Sequence, residues 1–188
     1  MNEKKVTDLL YKNFVGNNKD WKPEISGINY LDGYMRATDG YVLAKVHFEE
    51  YDFDFEDRTI SRDGSEVLGN YPALDNLLPL TLEGCDTLPG ELFRVIKAAP
   101  VSTRKQGEFC AVLVEGFPFH TFQLKAIYEL FESIGEFPAL KVSAQQKQKI
   151  LAFNSKNCSA ICISEIRPFT PKDILFTIDE ALEFNPAK

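Results

Sequence analysis

Two Asp-Gly pairs, Asp32-Gly33 and Asp39-Gly40, punctuate the stretch Gly27–Phe48, each between runs rich in Tyr, Val, Ile and Met. A type I′ turn needs positive φ at both central residues, so Asp-Gly between apolar runs is a strong hairpin signal. The stretch reads as three antiparallel strands, roughly Ile25–Leu31, Tyr34–Thr38 and Tyr41–Phe48. A meander of this kind has one face to bury, and the rest of the chain must supply the second layer.

Further cover comes from helical periodicity. Val6, Leu9, Leu10 and Phe14 fall on one face of Glu3–Val15, and Gly16-Asn17-Asn18 supplies a stop. Its other face holds Lys5, Asp8 and Lys12, read either as a solvated face or as lysines that meet phosphate. Leu88-Pro89-Gly90-Glu91 opens a short helix, Glu91–Ala99, with Leu92, Val95 and Ile96 inward and Pro100 ending it. Arg94, Lys97, Arg104 and Lys105 form a run of positive charge with no acid between them. Leu124–Ile134 is the clearest helix: Leu124, Ile127, Tyr128, Phe131 and Ile134 make its apolar stripe, and Gly135 caps it. Its outer face, Lys125, Glu129, Glu132 and Ser133, carries net negative charge, which repels phosphate.

The remaining segments read as strands and turns. Phe109–Val114 and Phe117–Phe122 form a hairpin at Glu115-Gly116. His120, among aromatics and without a Ser, Cys or carboxylate at catalytic spacing, reads as packed and hydrogen-bonded. Ala139–Ala144, Ile150–Asn154 and Ala160–Ile166 form a second meander. Residues 50–90 are an insertion-like, turn-rich segment, and 168–188 are a tail, read either as a strand (Ile174–Ile178) with a short helix or as a docking segment.

One element carries a different pattern. Glu49–Asp57 alternates acid with aromatic, placing Tyr51, Phe53 and Phe55 on one side. It reads either as a strand with one buried face or as an acidic-aromatic loop that docks on a protein partner. Its carboxylates run along a line with no histidine and no calcium-loop glycine, so a metal site is not expected.

Arg36-Ala37-Thr38-Asp39-Gly40-Tyr41-Val42-Leu43-Ala44 resembles the ATDG-hydrophobic-x-LA hairpin of bacterial DNA sliding clamps, the β subunit of the replicative polymerase. The helix Leu124–Gly135 and the strands in Ala139–Arg167 are similar in order to the helix and closing strands that follow that hairpin in a clamp domain. Gly69-Asn70-Tyr71-Pro72 resembles the family's Gly-x-Phe-Pro turn, placed here before the second helix rather than after the closing strands. The resemblance implies a single α+β clamp-like domain over 1–188, a curved antiparallel sheet with two or three helices packed on one face. In such a domain the helices line a hole for DNA and the sheet faces outward. This chain supplies two or three helices, so a dimer does not close a ring of the family's size; about six copies would be needed by closed symmetry. The expected contacts are to phosphates of double-stranded DNA, without base reading, by Lys5, Lys12, Arg94, Lys97 and Lys105.

Composition sets limits on function. Net charge is −7 over 188 residues, so general polyanion binding is not expected, although a local basic face can coexist with an acidic outside. Cys85, Cys110, Cys158 and Cys162 match no zinc spacing, and the last two sit in or beside an apolar run as core thiols; a reducing cytoplasm is expected. No apolar run is long enough to span a membrane, and the charged start MNEKKVTDLLYK is not a secretory signal. Phosphate-binding, dinucleotide, zincin and hydrolase motifs are missing from the sequence, so neither an enzyme, a cofactor nor a small-molecule substrate is expected. The alternative to a DNA-associated protein is a protein interaction module, or a self-associating one, acting through Tyr51, Phe53 and Phe55 or the tail.

Overall fold

The computed structural model describes residues 2–16, 22–48, 57–74, 82–99, 110–144, 147–165 and 173–180. The elements in chain order are α1 (Glu3–Asn13), β1 (Gly27–Leu31), β2 (Tyr34–Thr38), β3 (Val42–His47), β4 (Arg58–Ser61), β5 (Leu82–Gly84), α2 (Pro89–Ala98), β6 (Cys110–Val114), β7 (Phe117–His120), α3 (Thr121–Ile134), β8 (Ala139–Ser143), β9 (Ile150–Asn154), β10 (Cys158–Ile163) and β11 (Ile174–Thr177), with a 3-10 turn at Pro23–Ile25.

The large sheet is antiparallel throughout and ordered β4-β1-β2-β3-β10-β9-β8-β5. That order is palindromic in kind. A helix precedes each three-stranded meander, α1 before β1–β3 and α3 before β8–β10, and the last strands of the two meanders, β3 and β10, pair at the centre. Ala44 faces Ala160 across that join, leaving room for the helices above it. The helices α1 and α3 pack on each other, α2 packs on α3, and α3 also touches β10, β6 and β7. A second sheet, β11-β6-β7, lies beside α3. The core between these layers includes Leu10, Phe14, Met35, Phe93, Phe119, Ile127, Phe131 and Phe153. A smaller apolar cluster, Leu43, Leu74, Ile150, Ala152 and Ile161, with Tyr71 against it, forms separately from that main core.

The turn chemistry acts as expected at Asp32-Gly33, where both residues have positive φ (53° and 73°) and Leu31 pairs with Tyr34. At Asp39-Gly40 the expectation of the same two-residue turn is corrected. Only Gly40 has positive φ, and Thr38 pairs with Leu43, so the loop is wider. Asp39 Oδ1 accepts from the backbone N–H of Tyr41 and Val42, both at 2.9 Å, an Asx-type closure that replaces the type I′ geometry.

Other boundaries shift for local reasons. The first strand starts at Gly27, because Pro23 pre-sets a 3-10 turn that holds Ile25. The strand expected to reach Phe122 ends at His120, whose Nδ1 accepts from the Phe122 backbone and caps α3. Tyr128 and Ile134 are half-buried rather than buried; the inner stripe of α3 runs instead through Leu124, Ile127, Leu130 and Phe131. Gly135, at φ 77°, closes α3 in the left-handed conformation expected of it. The tail's strand is present as β11, but it pairs parallel to β6 rather than extending the antiparallel pattern. The acidic-aromatic segment with Tyr51, Phe53 and Phe55, and the basic residues Arg104 and Lys105, lie outside the described residues.

Candidate nucleic-acid interface

The first helix is built by its apolar face. Val6, Leu10 and Phe14 are fully buried, and Asn2 caps the start by accepting from the Lys5 backbone at 3.1 Å. Tyr11 reaches across to β4, its hydroxyl donating to the carbonyls of Ile60 and Ser61 at 2.8 and 3.1 Å. With one face fixed in this way, the other must point outward, and Lys4, Lys5, Asp8 and Lys12 line a shallow surface groove along it. Lys5 and Lys12 are exposed, as expected, and so is Lys4. The sequence reading passed over Lys4, although its spacing to Asp8 and Lys12 puts all three on one helical face.

On α2, Leu92, Val95 and Ile96 are buried, which leaves Arg94 and Lys97 exposed. Both border a cleft between α2 and α3 with Phe93, Tyr128, Glu132 and Phe137. Phe93 meets the Tyr128 ring edge-on at 5.2 Å and stacks on Phe153 at 5.8 Å. The Lys97 ammonium sits 5.9 Å from the Tyr128 ring centre. Tyr128 in turn donates to Glu132 at 2.8 Å.

The two basic groups occupy the two helices that pack on α3 and line separate grooves. α3 itself carries the half-buried Lys125 and Glu129 and the exposed Glu132.

Among the described residues no three His, Cys, Asp or Glu side chains gather into a metal-binding group. Burial pushes the Cys158 and Cys162 thiols well above their ordinary range, so they are core residues, not nucleophiles. Among the described residues no helix is long and apolar enough to cross a membrane.

Neither a scan of family models nor a search of curated proteins matches this sequence. Solved structures do match by fold. The β subunit of DNA polymerase III from Thermotoga maritima superposes with a TM-score of 0.53 at 12% identity, over 89% of this chain and 63% of that one. The corresponding β chain from Streptococcus pneumoniae gives 0.46 at 10% identity, over 88% of this chain and 63% of that one. The fold is similar to that of sliding-clamp domains, and the chain spans less than two thirds of the length of the clamp structures it matches.

Proposed function

We propose that this protein is a non-enzymatic, DNA-associated relative of the sliding clamps, acting in the cytoplasm as a processivity factor or a reduced form of one. On this reading residues 1–188 form one clamp-like unit, with the turn-rich segment 50–90 as an insertion and 168–188 as a tail. The observation that carries it is the pair α1 and α3, laid side by side on one face of a palindromic sheet. Exposed Lys5 and Lys12 lie on α1 and exposed Arg94 and Lys97 on α2, and both helices pack on α3. Lys105 belongs to the same basic run in sequence. The name of the structural neighbour, a DNA polymerase III β subunit, agrees with this role. Contacts would be to phosphates, because nothing in the sequence resembles a base-reading element.

Titration of a labelled duplex across a salt series tests the reading, alongside light scattering for assembly. Affinity that falls as salt rises, with a log–log slope of about −0.9 per phosphate neutralised, together with assembly into a ring-sized oligomer, supports it. A monomer at high concentration that binds no duplex at low salt overturns it.

The carboxylates of α3 favour a second reading. Glu129 and Glu132 repel phosphate, and a chain that has kept the clamp fold without DNA would act as a protein interaction module. Tyr51, Phe53 and Phe55 are then the segment that meets the partner.

A further inference from the structure

Arg36 lies on β2 between Met35 and Ala37, both fully buried in the main core, where Met35 meets Thr7 of α1. Strand alternation turns Arg36 to the opposite face of the sheet, away from the helices. There residues 66–73 fold over β1, β2 and β4 and leave a groove bordered by Asn29, Arg36, Arg58, Glu66 and Tyr71.

Arg36 is only 8% exposed, and its buried Nε has no hydrogen-bond partner among the described residues. The carboxylate facing its guanidinium is Asp32, 3.9 Å away on a side chain that is 78% exposed. Arg58 faces Glu66, also at 3.9 Å. Both separations exceed the roughly 2.7–2.9 Å of a charge-assisted hydrogen bond. The wall between the two arginines is set: Asn29 Nδ2 donates to the Arg58 carbonyl and to Thr59 Oγ1, and the Tyr71 hydroxyl donates to the Arg36 carbonyl. A guanidinium taken out of water with an unused N–H is destabilising until an acceptor reaches it.

We propose that this groove binds a carboxylate group, with Arg36 as its buried anchor and Arg58 as the second cation. The planar guanidinium fork matches a carboxylate in two-point geometry. Asp57 and Glu66 also border the groove, so a singly charged carboxylate is admitted and a polyanion such as DNA is repelled. The site lies on the face away from the helices and stands or falls independently of DNA binding.

The test follows the Arg36 Nε–Hε resonance of the full chain by nitrogen-15 NMR. Sodium acetate, inorganic phosphate and N-acetyl-aspartate amide are titrated in turn at ionic strength held constant with chloride. A saturable shift with acetate is expected. Arg58→Gln, at an exposed position, should weaken binding about tenfold. Arg36→Gln, checked for native amide dispersion and followed through the Arg58 Nε–Hε resonance, should lose the response. Saturation by acetate assigns a free small carboxylate, and saturation by the aspartate amide alone assigns a protein-borne one. No saturable shift with either, a response to phosphate alone, or undiminished affinity in Arg58→Gln overturns the proposal.

Discussion

The Glu136 carboxylate accepts both the backbone N–H and the side-chain amide of Asn157, at 3.0 and 2.7 Å, and Ser155 Oγ donates to it as well. One side chain just past the end of α3 thereby closes the turn between β9 and β10. Partial burial pulls this carboxyl upward, but the bonds from Ser155 and Asn157 outweigh it and hold the group below its ordinary 4.5. A depressed carboxyl stabilises the fold fully above its unfolded value and loses that stabilisation as pH falls through the folded one. The stability difference between wild type and Glu136→Gln should therefore be constant above about pH 5 and shrink below it. Denaturant midpoints of both proteins across that range give the measurement; a gap that widens in acid contradicts the assignment.

Phe131 is 1% exposed on the inner stripe of α3. Phe131→Ala should cost about 3–5 kcal/mol, the range for truncating a buried Phe. Lys125→Ala, on the outer side of the same helix, should change stability by less than about 0.5 kcal/mol. Equal midpoints for the two variants would reverse the assigned face.

The Tyr11 hydroxyl ties α1 to the β4 end of the sheet through two backbone carbonyls. Tyr11→Phe keeps the ring and removes the donor, so about 0.5–1.5 kcal/mol should be lost. Amide exchange should rise at β4 before it rises at β9. Uniform loosening would show that the hydroxyl does not pin this edge.

Charge on the helical layer gives a prediction for DNA. Replacing Lys5 and Lys12 together by Ala, or Arg94 and Lys97 together, should each reduce the salt slope by about 1–2. Lys45, which strand alternation places on the far face of the sheet with its ammonium 4.3 Å from the Tyr34 ring centre, serves as the control. If Lys45→Ala lowers the slope as much as either pair, the phosphate surface lies elsewhere.

Local chemistry was legible from the residues alone. The Asp32-Gly33 turn, the buried stripe through Leu124, Ile127 and Phe131, the Gly135 cap and the core placement of Cys158 and Cys162 each depend on few neighbours in sequence. The exposed lysines of α1 followed from the same periodicity, since fixing the apolar face fixes its opposite. The ATDG-like hairpin also carried the clamp-like fold class, because it occurred in order with the helix and strands of the second meander.

Tertiary structure decided what distance along the chain conceals. The joining of β3 to β10 across the middle of the sheet, and the parallel docking of β11 on β6, pair segments far apart in sequence, and no local signal encodes such partners. The packing of both α1 and α2 on α3 likewise joins segments far apart in sequence. Arg36 shows the same division most plainly. In sequence it is one letter of a hairpin motif; only the fold brings residues 66–73 beside it to form a groove, in which its buried Nε has no hydrogen-bond partner among the described residues.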